Sequence, residues 1–258
     1  MSAGAADLGP LVFARYAYPP NALGYCGPRD PDEFLGLACM GDDATGLRRR
    51  AAEFEGAWPY LQLIARCNGI DEPLDARVVE AYWRGNELLR AVPASTLVAF
   101  VEERFGYRLG PDLPSVVSAV APGLAHHSFH VFAVYPWLGL LRAGREGPAL
   151  EVLDRCRIRW GWVEALAAEH VVVRSQPLCF DGSRLVLGTE RREAARRGLR
   201  GMTMLPDLRA GDVVSLHWDW VCDRLTPDGW RWLEYCTRRN LDAVNSLARP
   251  GPAVVCEV

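Results

Sequence analysis

Cys156 and His217 are the two residues best placed to do chemistry. Cys156 opens the run Cys156-Arg157-Ile158-Arg159-Trp160-Gly161-Trp162-Val163, and His217 closes Gly211-Asp212-Val213-Val214-Ser215-Leu216-His217. A thiolate is a soft, charged ligand and an imidazole a borderline one, so together they suit iron or another late first-row metal. Arg155 and Arg157 flank the cysteine, and neighbouring cations favour a thiolate. Alternation over 213–222 reads as one strand, with Val214, Leu216, Trp218, Trp220 and Cys222 on one face. Ser215, His217, Asp219 and Asp223 share the other, so Ser215 and Asp219 are the expected outer partners orienting His217. The plainer reading leaves both residues purely structural.

A second group is His126, His127 and His130. On a helix, His126 and His130 stand one turn apart and could share a metal. No glutamate beside them completes a zinc-protease pattern, and capping or core packing is the competing reading. A metal there would also need Cys26 or a carboxylate from another helix. Cys26 lies in Pro19-Pro20-Asn21-Ala22-Leu23-Gly24-Tyr25-Cys26-Gly27-Pro28, a stiff turn. With His130 it could form the nucleophile pair of a hydrolase or transferase, or simply be a buried loop thiol. Trp218, Trp220, Trp230 and Trp232 are ringed by Asp212, Asp219, Asp223 and Asp228, which favours a core or a protein interface over stacked bases.

The elements that must position these residues change character near residue 150. Before it, segments 46–67, 75–92, 95–105, 113–120 and 127–141 read as helices, separated by Pro93, Pro111, Pro114 and Pro122-Gly123. Asp42 and Asp43 offer capping groups ahead of 46–67, and Pro59 should kink or divide that helix. After a short helix at 149–154 come strands at 157–163, 170–174 and 213–222. Asp181-Gly182-Ser183 is a hairpin turn, 190–200 a charged, solvated helix or loop, and Thr226-Pro227 the start of a closing helix. The fold class expected is α+β: an α-helical domain over 1–150, then a small β-barrel with a C-terminal helix over 151–258.

Half of the residues are hydrophobic, 24% are charged and the net charge is −3, which excludes disorder and gives no reason to expect nucleic acid or an anionic membrane. The chain contains no lysine, so its arginines are weak markers of phosphate sites. Met1 to Asp7 lacks a basic-then-apolar leader, and the eight cysteines include no CxxC; both point to reduced thiols in a cytoplasm. No P-loop, GxGxxG, GxSxG or EF-hand pattern is present.

The order of motifs from Cys156 to Leu247 resembles the HypC/HupF family of hydrogenase assembly chaperones. The run 211–217 is similar to that family's GD-x-V-x-V-H strand, and 156–163 to its opening C-L-x-I-P-G-x-V, with Trp160 in place of the proline. The cysteine here is internal, where the family exposes it at the N-terminus. The chain as a whole also resembles an uncharacterised actinobacterial family found among hydrogenase genes. The resemblance implies an OB-type barrel and an accessory role in maturation. Cys156 and His217 would transiently hold iron bearing cyanide and carbonyl ligands. The partners would be the hydrogenase large-subunit precursor or other maturation proteins. A Cys/His enzyme in the helical half, and a non-catalytic interaction module, are the alternatives.

Overall fold

The computed structural model describes residues 8–40, 44–144 and 146–246. Helices come first: α1 (Leu8–Ala22), α2 (Pro31–Met40), α3 (Ala44–Ala51), α4 (Trp58–Cys67), α5 (Ala76–Trp83), α6 (Ala94–Leu109) and α7 (Leu113–Val120). A short α8 (His127–Phe129) runs into a π-turn at His130–Val134, followed by α9 (Trp137–Arg142) and α10 (Glu146–Cys156). The strands are β1 (Arg159–Leu166), β2 (His170–Ser175), β3 (Leu178–Phe180), β4 (Leu185–Leu187), β5 (Arg191–Arg196), β6 (Gly198–Leu199), β7 (Met202–Thr203), β8 (Val213–His217) and β9 (Trp220–Arg224). Helix α11 (Pro227–Asn245) ends the described part. The protein is thus mixed α+β, with its helices leading. Among the described residues no helix is long and apolar enough to cross a membrane.

Breaks in the helices follow local chemistry. Pro59 sits in the first turn of α4, so the expected 46–67 helix divides into α3 and α4. Asp42 and Asp43, its expected capping residues, lie outside the described residues. Asp75 caps α5 by accepting from the Arg77 amide. That helix stops at Gly85, whose φ is +90°, and the rest of the expected 75–92 helix is a separate 3-10 turn capped by Asn86. A Cβ at Gly85 would lie 2.5 Å from the Cys236 sulfur, so glycine is also what lets α11 pack this closely.

Five strands hydrogen-bond in the order β1-β2-β5-β9-β8, and β8 pairs back onto β1. The β5–β9 contact is parallel and holds only the pair Arg196–Trp220. Val163, Val171, Val173, Ala195, Leu208, Val214, Leu216 and Val221 pack inside the ring. The outer side of β8 and β9 joins the helices: one apolar core runs from Phe13, Tyr60 and Trp83 to Trp218, Trp220 and Cys222, across the expected division at 150.

Two strand expectations need correction. Segment 190–200 contains strand β5, between β2 and β9. Its inward residue is only Ala195, while Arg192 and Arg196 pair with Glu164 and Asp219, so its alternation is carried by ion pairs rather than apolar bulk. Segment 213–222 is two strands, because the chain reverses at Trp218-Asp219 with Trp218 at φ +54°. Trp218, Trp220 and Cys222 therefore leave the face of Val214 and Leu216 and pack against the helices. The Asp181-Gly182-Ser183 turn joins β3 to β4, with the Asp181 carboxylate accepting from the Ser183 and Arg184 amides.

Candidate metal centre

Ligand atoms of His127, Cys156 and His217 all lie within 4.8 Å of one another, and all three residues are buried. Each comes from a different element: α8, the last residue of α10, and the last residue of β8.

His217 is oriented by a carbonyl that proline sets free. The Tyr16 carbonyl in α1 would accept from residue 20 in a regular helix, but Pro20 has no N–H. The His217 Nδ1–H donates to it instead, at 2.6 Å. That bond fixes the tautomer and leaves the lone pair on Nε2, which is buried without a hydrogen-bond partner. A metal-binding histidine typically has its other nitrogen tied to a carbonyl in this way.

Cys156 is held through the C-terminus of α10, whose last carbonyls lack helical partners. Arg159, almost fully buried, donates to the carbonyls of Asp154 (3.1 Å) and Arg155 (3.3 Å), and with its other amino group to the Trp218 carbonyl (2.6 Å). The Trp218 amide donates to the Arg155 carbonyl at 2.7 Å. One guanidinium therefore ties the cysteine's helix to the turn beyond His217, and it holds Trp218 in its left-handed conformation.

His127 Nε2 lies 2.8 Å from the Cys156 carbonyl, and its Nδ1 lies 3.1 Å from the Tyr82 hydroxyl. With its proton on Nε2, the ring donates to that carbonyl. With the proton on Nδ1, it donates to Tyr82, whose own hydroxyl proton turns to the Gly56 carbonyl at 3.5 Å. In the second tautomer the Nε2 lone pair would face the Cys156 carbonyl oxygen at 2.8 Å, so ligation through Nε2 would require that contact to open. Replacing Tyr82 with phenylalanine removes the acceptor that supports this tautomer, and is expected to weaken metal binding about 10-fold, read by competition with a chromophoric chelator. Unchanged or tighter binding would show that His127 ligates through Nδ1.

On helical spacing alone, His126 and His130 are the expected metal pair rather than His127. His126 is the N-cap of α8 in extended conformation, and its Nδ1 accepts from the Ser128 amide at 3.0 Å, so it never joins the helical face that would pair it with His130. Asn240 of α11 holds this corner, donating to the Ser128 hydroxyl and accepting from the Leu124 amide. The outer partners also differ from expectation. Ser215 bonds to the Tyr16 hydroxyl at 2.7 Å, and Asp219 is partly exposed and paired with Arg196. Tyr16, Tyr82 and Arg159 take the orienting roles instead; the only sequence signal was Pro19-Pro20, which forbids two helical hydrogen bonds.

Burial sets the protonation. It pushes the Cys156 thiol up, despite Arg155 and Arg157 beside it in sequence; the Arg157 guanidinium turns to Asp154 and the Gln176 carbonyl. Burial also lowers His127 to about 4 and His217 well below the usual imidazole range. At neutral pH the site holds two neutral rings and a thiol, so a divalent cation would bind with release of one proton. A thiolate with two imidazoles is a donor set for iron, cobalt or zinc rather than calcium or magnesium.

Beside His127, Cys156 and His217 is a cavity of about 320 Å³ with aromatic walls that include Phe54, Tyr82, Trp83, Trp137 and Trp218. Its walls among the described residues carry no carboxylate and no arginine. Cys26 and His130 line it too, but no hydrogen bond joins them. Burial raises Cys26 to about 12 and lowers His130 to about 3, which disfavours a thiolate–imidazolium pair.

A family model described as of unknown function, DUF6390, matches residues 5–250. The chain belongs to that family. No curated protein and no solved structure matches it. The family match spans helices and sheet alike, and so includes all three candidate ligand residues of this DUF6390 protein together with Tyr16, Tyr82 and Arg159.

Proposed function

We propose that this DUF6390 protein is an accessory factor of hydrogenase maturation that takes an iron fragment as cargo on Cys156, His217 and His127. The observation that carries the reading is the convergence of Cys156 with the fixed, unpartnered Nε2 of His217. Those are the two positions to which the resemblance to HypC/HupF chaperones assigns iron. The five-stranded ring followed by α11 is consistent with an OB-type barrel of that kind. The helical half then adds His127 as a third protein ligand and encloses the site. Three protein ligands leave coordination positions open, and the adjoining cavity has room for small ligands such as cyanide and carbon monoxide. The neutral, aromatic wall excludes water that would compete for those positions.

An enzyme built on Cys26 and the histidines is less well supported, because that pair is held neutral. The test is to purify the protein anaerobically after co-expression with hydrogenase maturation proteins and record its infrared spectrum. Bands in the cyanide and carbonyl stretching region are expected, and they should vanish in Cys156→Ala and His217→Ala. Bands that survive both substitutions, or a wild-type protein without them, would overturn the reading.

A further inference from the structure

A second, larger cavity of about 640 Å³ adjoins the inner one and is more open, with Glu53, Glu55, Arg108 and Asp112 in its wall. The two cavities share Tyr25, Cys26, Gly56, His130, Tyr135 and Pro136. Two metal-binding side chains therefore stand where the spaces meet. Cys26 is a free thiol on the loop after α1. His130 opens the π-turn, an irregularity often associated with functional positions. Its Nδ1 is buried without a hydrogen-bond partner, and its Nε2 lies over Gly56, where an added Cβ would stand only 3.1 Å away. A buried imidazole with an unanswered nitrogen calls for an explanation that packing does not supply.

We propose that Cys26 and His130 form a transfer station for a divalent late first-row metal cation moving between the outer cavity and the buried three-ligand site. The inference rests on the cargo site proposed above. On docking, the Cys26 S–H bond is replaced by a sulfur–metal bond, the proton passes to water in the outer cavity, and His130 supplies a ring lone pair. In the second step the bonds to Cys26 and His130 break as those to Cys156, His127 and His217 form. The Cys156 thiol proton returns to Cys26. One proton is released overall, and no electron changes hands.

A station of this kind lowers the barrier in both directions and leaves the end states alone. Cobalt(II) binding to the full chain, followed by stopped-flow absorbance, separates the two effects. Cys26→Ser is expected to slow both uptake and chelator-driven release by about 10-fold or more, with the dissociation constant changed by less than about 3-fold. Gly56→Ala keeps both side chains, but its methyl group would stand 3.1 Å from His130 Nε2 and displace the ring that presents Nδ1, so it should slow both rates in the same sense. Cys67→Ser, outside both cavities, serves as the control. Unchanged rates in both cavity variants, or a loss of affinity matched by faster release alone, would overturn the station while leaving the inner site standing. No cobalt binding by the wild-type chain would overturn both.

Discussion

Cobalt(II) added anaerobically to the protein is expected to give a sulfur-to-metal charge-transfer band that Cys156→Ser abolishes, with affinity falling more than about 100-fold. The reasoning is that a thiolate supplies the only negative charge at a site otherwise made of two neutral imidazoles. Serine keeps the volume but cannot ionise near neutral pH. Loss of an outer-shell partner alone typically weakens a site by about 10–100-fold, so loss of its charged ligand should exceed that. Because the Cys156 thiol starts protonated, affinity should rise with pH by up to about 10-fold per unit, one proton leaving for each metal bound. The bound metal should also stabilise the fold: at about 1,000 times the dissociation constant the gain is about 4 kcal/mol. An unchanged thermal transition on adding cobalt, or a charge-transfer band that persists in Cys156→Ser, would place the metal elsewhere.

Acid unfolding should be unusually steep. His126, His127, His130 and His217 are all buried, and burial depresses each: His126 and His130 to about 3, His127 to about 4, His217 well below the usual range. In the unfolded chain each titrates near 6.5. Above that pH neither state binds the proton and stability is level. As pH falls below it, the unfolded chain takes up protons that the folded one refuses until pH 3–4. Each histidine therefore removes about 1.4 kcal/mol of stability per pH unit in that window. Together the four approach about 5 kcal/mol per unit, so by pH 4.5 the loss is comparable with the whole stability of an ordinary domain, about 5–15 kcal/mol. Denaturant titrations between pH 7 and 5 should show stability falling toward the acid side with an uptake of several protons on unfolding. A flat profile across that range would mean these rings are solvated, and the buried site would not exist as described.

Much of the local architecture is legible in the sequence. The Asp181-Gly182-Ser183 turn and the Thr226 cap of α11 are short-range chemistry, decided by a side chain and amides two or three residues away. Pro59 dividing a long helical stretch is of the same kind. Cys156 and His217 could also be named as a pair, since the runs around them carry a family resemblance. Segment 190–200 does not read as a strand because β5 has one small inward residue and relies on arginine–carboxylate pairs, which a periodicity of apolar residues cannot register.

The rest is non-local. Nothing in the run His126-His127-Ser128-Phe129-His130 says which imidazole reaches the sulfur; that is decided when His126 caps α8 and Asn240, more than a hundred residues away, anchors the corner. The Tyr16 carbonyl became a partner for His217 only because α1 lies against β8, although Pro20 had already left it unpaired. Arg159 joins the end of α10 to the β8–β9 turn, so the distance from thiol to imidazole is set by a buried cation bonded to three carbonyls. The two adjoining cavities are likewise products of packing between helices and sheet. Turns and caps follow from residue types a few positions apart, because their energetics are local. Tertiary structure decided which lone pairs are left free and where they meet, because hydrogen-bond partners and burial are supplied by distant parts of the chain.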